Sequence, residues 1–237
     1  MSGDFFRSLL ASLTPLEGTA VVFGLMSVWL STRENIWSWP TAIINVGLYS
    51  ILFIREKLYA DAGLQVIYLV LSLYGWYEWK FGGENRSELH VSRVTPRLAA
   101  ILATLGIAGS VALGTFLHRT TDASLPYLDA TLSVFSLIAQ WMMTRKIVEN
   151  WALWIVLDVV YVWMFIALKH LNFTAFQYSV FLLLAVLGLR DWKRSYDARR
   201  ASAARPLRPS AGCAARSFSK PSALVSSITS RVRVSAS

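Results

Sequence analysis

The sequence predicts an all-α membrane protein with seven transmembrane helices, arranged as two parallel three-helix repeats joined by a single linker helix. Three observations predict it. Apolar runs of about 20 residues, long enough to cross a hydrocarbon core of about 30 Å, recur along most of the chain. Of the 237 residues, 55% are hydrophobic and only 16% charged, against roughly a quarter charged in an ordinary soluble domain. Finally, the first spans reappear further along the chain in the same order.

The runs fall at Pro15 to Leu30, Ile36 to Ile54, Ala60 to Trp79, Arg97 to Leu117, Pro126 to Met143, Val148 to Leu168 and Phe173 to Leu189. Pro15, Pro40, Pro96 and Pro126 stand at or near the start of four of them. Proline suits a first helical turn, where its missing N–H has no partner to lose. No basic leader with a small-residue cleavage site precedes the first run, so it reads as a span and not as a signal peptide.

The formal net charge of +9 is a property of one segment. From Lys193 onward there are ten Lys or Arg and a single acid, Asp197, while the remainder balances thirteen basic against thirteen acidic groups. Residues 193–237 are too poor in apolar side chains to fold alone and read as a basic, disordered cytoplasmic tail near anionic lipid, not as a nucleic-acid module. Short basic loops favour the cytoplasmic side, so seven spans with this tail inside put the N-terminus outside. The lone cysteine, Cys213, forms no internal disulfide.

The repeat is legible residue by residue. Leu16-Glu-Gly-Thr-Ala-Val-Val-Phe23 lies over Leu128-Asp-Ala-Thr-Leu-Ser-Val-Phe135 at an offset of 112, and Trp29 and Thr32-Arg33 meet Trp141 and Thr144-Arg145. After a one-residue slip, Gly75-Trp-Tyr-Glu-Trp-Lys80 lies over Gly188-Leu-Arg-Asp-Trp-Lys193. Residues 1–14 are then a periplasmic segment, 15–80 the first repeat, 81–125 a loop and the linker helix, and 126–192 the second repeat. Four spans separate equivalent points, so the repeats are parallel. A pseudo-twofold of this kind puts a substrate site between the halves.

Candidate site residues follow from helical spacing. Trp151, Trp154, Asp158 and Tyr161 gather on one face of the sixth span. A carboxylate inside a span costs several kcal/mol unless it meets water or a partner, which makes Asp158 a functional candidate; on the slipped register it corresponds to Asn45. The competing reading is a structural Asp158 with tryptophans in the headgroup belt. Gln65, Tyr68 and Ser72 share a face of the third span, and Asn45 and Tyr49 lie one turn apart on the second. These groups, with Gln140 and Gln177, suit either a polar ligand or interhelical bonding worth about 0.6 kcal/mol apiece. His90, His118 and His170 have no partner at ligand spacing, so no metal site is expected. No phosphate-cradling loop is present. Neither an enzyme nor an ATP-driven pump is expected.

Leu58-Tyr-Ala-Asp-Ala-Gly-Leu-Gln65, Tyr74-Gly-Trp-Tyr-Glu-Trp79 and Met143-Thr-Arg-Lys-Ile-Val-Glu-Asn-Trp-Ala-Leu-Trp154, with its Glu-Asn-Trp-x-x-Trp pattern, resemble the PnuC transporters over about residues 15 to 195. These are bacterial inner-membrane carriers of vitamin B3 as nicotinamide riboside. The resemblance implies a three-plus-one-plus-three fold related to full-length SWEET carriers and a homotrimer. It also implies facilitated diffusion, with a cytoplasmic riboside kinase trapping the product, and no cofactor. Trp151 and Trp154 would stack on the cationic pyridinium, Asp158 would face its charge or the ribose, and Asn45, Gln65 and Gln140 would bond carboxamide or hydroxyls. Related branches carry thiamine or other vitamins, which leaves thiamine as the alternative cargo. A non-transporting membrane receptor or scaffold is the alternative of another class.

Overall fold

A computed structural model describes residues 14–121, 124–167 and 172–204. The expected N-terminal periplasmic segment and most of the basic tail lie outside them. The described residues form seven α-helices: α1 (Pro15–Thr32), α2 (Ser38–Arg55), α3 (Tyr59–Phe81), α4 (Pro96–Thr120), α5 (Pro126–Thr144), α6 (Glu149–Ala167) and α7 (Asn172–Ala203), with a 3-10 turn at Glu84–Arg86. No strand occurs among them.

The proline signals mark helix starts as chemistry requires. Pro15, Pro96 and Pro126 occupy first helical positions, and Pro40 falls in the first turn of α2. Thr14 and Glu17 close a reciprocal cap on α1, with the Glu17 N–H donating to Thr14 Oγ1 at 3.2 Å and the Thr14 N–H donating to Glu17 Oε2 at 2.8 Å. Thr95 receives the Leu98 N–H in the same way at the head of α4.

By length and composition, α4, α6 and the Thr174–Ala203 stretch of α7 qualify to cross a membrane among the described residues. The other four helices carry more polar side chains, and many of those are turned inward. Ser27, Ser31 and Thr32 on α1, Ser38 and Thr41 on α2, Ser72 on α3 and Ser136 and Thr144 on α5 are all buried. Outward, Val22, Met26, Ile51, Val66, Val70, Leu105, Val111, Val156, Val159 and Leu183 are exposed. An apolar skin of this extent on a polar interior is the surface of a protein solvated by lipid.

Helix pairs pack in sequence order, α1 on α2, α2 on α3 and α5 on α6, while α3 reaches α5 and α4 lies along α5. The α4–α5 seam rests on small residues at every fourth position. Gly106, Ser110 and Gly114 are buried, and a Cβ at Gly106 or Gly114 would stand 2.6 Å from Phe135 or 2.5 Å from Tyr127. Small residues let membrane helices approach this closely.

The main core cluster is built on four tryptophans, Trp39, Trp79, Trp151 and Trp192, with Val91, Met143, Val148 and Ala185. Its contacts come in matched pairs. Trp39 meets Trp79 edge-on at 5.2 Å and 88°, and Trp151 meets Trp192 edge-on at 5.4 Å and 90°. Trp79 Nε1 donates to the Met143 carbonyl at 3.0 Å, and Trp192 Nε1 donates to the Ser31 carbonyl at 2.9 Å. Each helix triplet therefore caps a helix end of the other. Tyr49 stacks on Phe53 and Tyr161 on Phe165. These pairs keep the spacing of 112 through Phe53 and Phe165, so the slip falls later in the chain. Asp158 then answers to Val46 and Asn45 to Leu157, one position away from the expected Asn45–Asp158 correspondence. Aliphatic neighbours carried too little identity to fix the register there.

A glycine in each triplet makes room for an indole. A Cβ at Gly188 would stand 2.5 Å from Trp151, and one at Gly75 would clash with the edge of the Trp39 ring. Gly75→Ala is expected to destabilise the protein by about 1–3 kcal/mol, as overpacked cores do. Gly63→Ala, with nothing within 4 Å of the new methyl, is expected to be neutral or slightly stabilising. Thermal unfolding in detergent checks both.

The helix α7 runs further than expected, through residues 193–203, which the charge pattern assigned to a disordered tail. Trp192 is fully buried, Tyr196 packs against the tryptophan cluster, and the Arg93 guanidinium lies 5.3 Å from the Tyr196 ring centre. Docking of this face, together with good helix formers and a Lys193–Asp197 spacing of one turn, carries the helix beyond the apolar run.

Candidate functional site

Helices from both triplets line a partly open cavity of about 260 Å³. Of the eleven candidate side chains named from the sequence, Asn45, Gln65, Tyr68, Ser72, Gln140, Trp151, Trp154, Asp158 and Tyr161 line it. Tyr49 is not among the lining residues; it stacks on Phe53 and sits against Gln177. That is a register effect, since Tyr49 lies one turn along α2 from Asn45 and faces α7 instead of the hollow. The cavity also takes residues that spacing alone did not select, including Gly24, Ser27, Trp39, Ser136 and Tyr178. The repeat held the missing signal, because Trp39 is the counterpart of Trp151, Gly24 of Ser136, and Gln65 of Tyr178.

Two of the polar candidates are committed to bonds within the protein. Asn45 Nδ2 donates to the Ala20 carbonyl at 2.7 Å. That approach needs Gly24, where a Cβ would stand 2.8 Å from the amide nitrogen. The Tyr68 hydroxyl donates to Ser136 Oγ at 2.5 Å, and the Ser136 hydroxyl donates in turn to the Ser133 carbonyl at 2.8 Å. The Asn of the Glu-Asn-Trp pattern, Asn150, is fully buried outside the cavity and donates to the Ile147 carbonyl at 2.5 Å, tightening the turn into α6.

Other groups are held ready. The indole N–H groups of Trp39, Trp151 and Trp154 and the Ser72 hydroxyl are buried with no hydrogen-bond partner, and all four residues line the cavity. Buried donors nearly always find acceptors. These four unmatched donors belong to residues around one hollow, and a ligand rich in acceptors could satisfy them. Asp158, 3% exposed, is the only acid among the lining residues described, and no Lys or Arg lines the cavity with it. A buried carboxylate without a cation is costly, and a positively charged guest could offset that cost. Tyr161, Tyr178 and Phe165 form an aromatic wall on α6 and α7, with Tyr161 and Tyr178 centred 4.5 Å apart.

An all-helical, lipid-solvated protein with an aromatic cavity between its helices has the build of a small-molecule transporter. The chain is matched over residues 14–194 by the family described as nicotinamide mononucleotide transporter, and it belongs to that family, the one that includes the PnuC transporters. The nicotinamide riboside transporter PnuC of Escherichia coli (strain K12) is 28% identical over 208 residues, spanning 77% of this chain and 87% of that one. The riboflavin/roseoflavin transporter RibM of Streptomyces davaonensis is 29% identical over 178 residues, spanning 72% of this chain and 81% of its own. Among solved structures, the crystal structure of the vitamin B3 transporter PnuC has a similar fold, with a TM-score of 0.63 at 24% identity over 77% of this chain and 82% of that one.

Proposed function

We propose that this protein carries nicotinamide riboside across the bacterial inner membrane by facilitated diffusion, through alternating exposure of the cavity around Asp158. The observation that carries the proposal is the cavity's chemistry: indole faces, four unmatched donors and a single carboxylate. Nicotinamide riboside offers a pyridinium cation for the aromatic faces and Asp158, and a carboxamide and ribose hydroxyls for the donors. Trp151, Trp154 and Tyr161 would embrace the ring, while Gln65 and Gln140 would bond the amide or the sugar. Asn45 and Tyr68 would act by fixing the walls, given the bonds they already make. A cytoplasmic riboside kinase would phosphorylate the product and keep it inside.

All seven helices would span the bilayer, with the N-terminus outside and the basic tail in the cytoplasm. The matched tryptophan contacts and crossed caps support two parallel triplets joined by α4, in the three-plus-one-plus-three manner of full-length SWEET carriers. A homotrimer is the assembly proposed.

The likeness to RibM favours a second reading, in which another vitamin is the cargo. Thiamine, also a cation, would satisfy Asp158; a flavin would not use its charge and is large for about 260 Å³. Purified protein in liposomes is expected to exchange labelled nicotinamide riboside against unlabelled riboside, with thiamine and riboflavin competing weakly. Exchange of neither riboside nor thiamine would return the chain to a receptor or scaffold role. Preferential exchange of thiamine or riboflavin would reassign the cargo.

A further inference from the structure

The helices α1 and α5 both end in Thr-Arg, and the next residue of each turn, Glu34 and Lys146, stands in the left-handed region with φ of 54° and 48°. Non-glycine residues adopt that conformation sparingly. The two residues, 112 positions apart, meet each other: Lys146 Nζ lies 3.4 Å from Glu34 Oε2. The lysine side chain is 8% exposed and the glutamate 20%. Lys146 Nζ also stands 4.5 Å from the centre of the Trp79 ring. Burial pushes the Lys146 ammonium below its ordinary range, and the Glu34 carboxylate pulls it back.

This pair occupies a particular place. Ser31, Trp39 and Met143 line the central cavity, whereas Glu34, Trp79 and Lys146 line a second hollow of about 470 Å³. Trp39 and Trp79 touch edge-on between them at 5.2 Å. The two hollows are thus one aromatic layer apart, and that layer is tied to the turns that carry the ion pair. The indoles of Trp79 and Trp192 hold the carbonyls of Met143 and Ser31, just before those turns.

We propose that Glu34 and Lys146 are positioning residues that hold this end of the central cavity shut, and that passage between the two hollows requires the pair to part. The proposal rests on the transport reading above. An ion pair suits this task because the charges regain water when separated, which offsets part of the loss. A purely apolar seal would gain nothing on opening. The pair is contributed by one turn from each triplet, so rocking one triplet against the other separates it directly.

The test needs no substrate. Ser31→Cys in a Cys213→Ser background puts a thiol on the cavity side of the layer, and a water-soluble maleimide reports how often that thiol is reached in detergent. E34Q and K146M are each expected to raise the labelling rate at least tenfold, and K146R, which keeps the charge, to leave it unchanged. Unchanged labelling in both E34Q and K146M overturns the proposal. So does K146R labelling as fast as K146M, because protection would then come from the fit of the lysine and not from its charge. Counterflow measured on the Ser31→Cys parent judges transport separately, so failure of the cargo reading and failure of the closure are told apart.

Discussion

Replacing Trp192 with alanine is expected to destabilise the protein by about 3–5 kcal/mol, the range for losing a fully buried large aromatic. The side chain has no exposed surface and touches two other tryptophans, Trp151 at 5.4 Å and Trp79 at 5.8 Å between ring centres. Its N–H caps the last turn of α1 through the Ser31 carbonyl at 2.9 Å. Alanine therefore opens a cavity, removes edge-to-face contacts and frees a buried carbonyl at once. Trp192→Phe separates these effects: it keeps most of the ring volume and loses the hydrogen bond, for about 1 kcal/mol plus any repacking. Thermal unfolding in detergent orders wild type above phenylalanine above alanine. An alanine variant as stable as wild type would mean that the tryptophan cluster does not hold the two triplets together.

The second large effect is on binding. Trp154→Ala and Asp158→Ala are each expected to weaken nicotinamide riboside binding tenfold or more, on the order of 1.4 kcal/mol. Trp154 brings an indole face and a buried N–H with no partner, and Asp158 brings the cavity's acid. The two should respond differently to the ligand. Asp158→Ala should lose discrimination in favour of cationic vitamins, whereas Trp154→Ala should weaken cationic and neutral aromatic ligands alike. Calorimetry with nicotinamide riboside, thiamine and a neutral analogue measures both. Wild-type affinity in both variants would make the Trp151–Tyr161 stripe a packing feature.

The legibility of this protein follows the periodicities that its helices impose. Four helix starts were readable because proline marks them chemically, and helix lengths because apolar runs must match the bilayer. Trp151, Trp154, Asp158 and Tyr161 were readable as one face because 3.6 residues per turn puts them there. Their convergence with Asn45, Gln65, Tyr68 and Gln140 on one hollow needed the repeat as well as the helix period. Tyr49 failed for a simple reason: one turn along a helix keeps the same face, but it moves about 5.4 Å along the axis, enough to leave the cavity for a neighbour. Residues 193–203 failed because hydropathy reports apolar runs, whereas Trp192 and Tyr196 continue the helix by docking on a cluster that is distant in sequence.

By itself the sequence determined the all-helical, lipid-facing character of the described residues, the position of nearly every helix, the internal spacing of 112 and many of the polar and aromatic side chains around the cavity. Local rules suffice for these, since backbone hydrogen bonding and the bilayer act on each segment separately. Only the tertiary structure decided which of those polar groups are already satisfied. Asn45 and Tyr68 spend their donors on Ala20 and Ser136, while the indole N–H groups of Trp39, Trp151 and Trp154 have no partner within the protein. It also decided that Glu34 meets Lys146 and that each triplet caps the other through Trp79 and Trp192. Hydrogen bonds and ion pairs depend on distances of a few tenths of an ångström between segments far apart in the chain, and no periodicity within a segment encodes them.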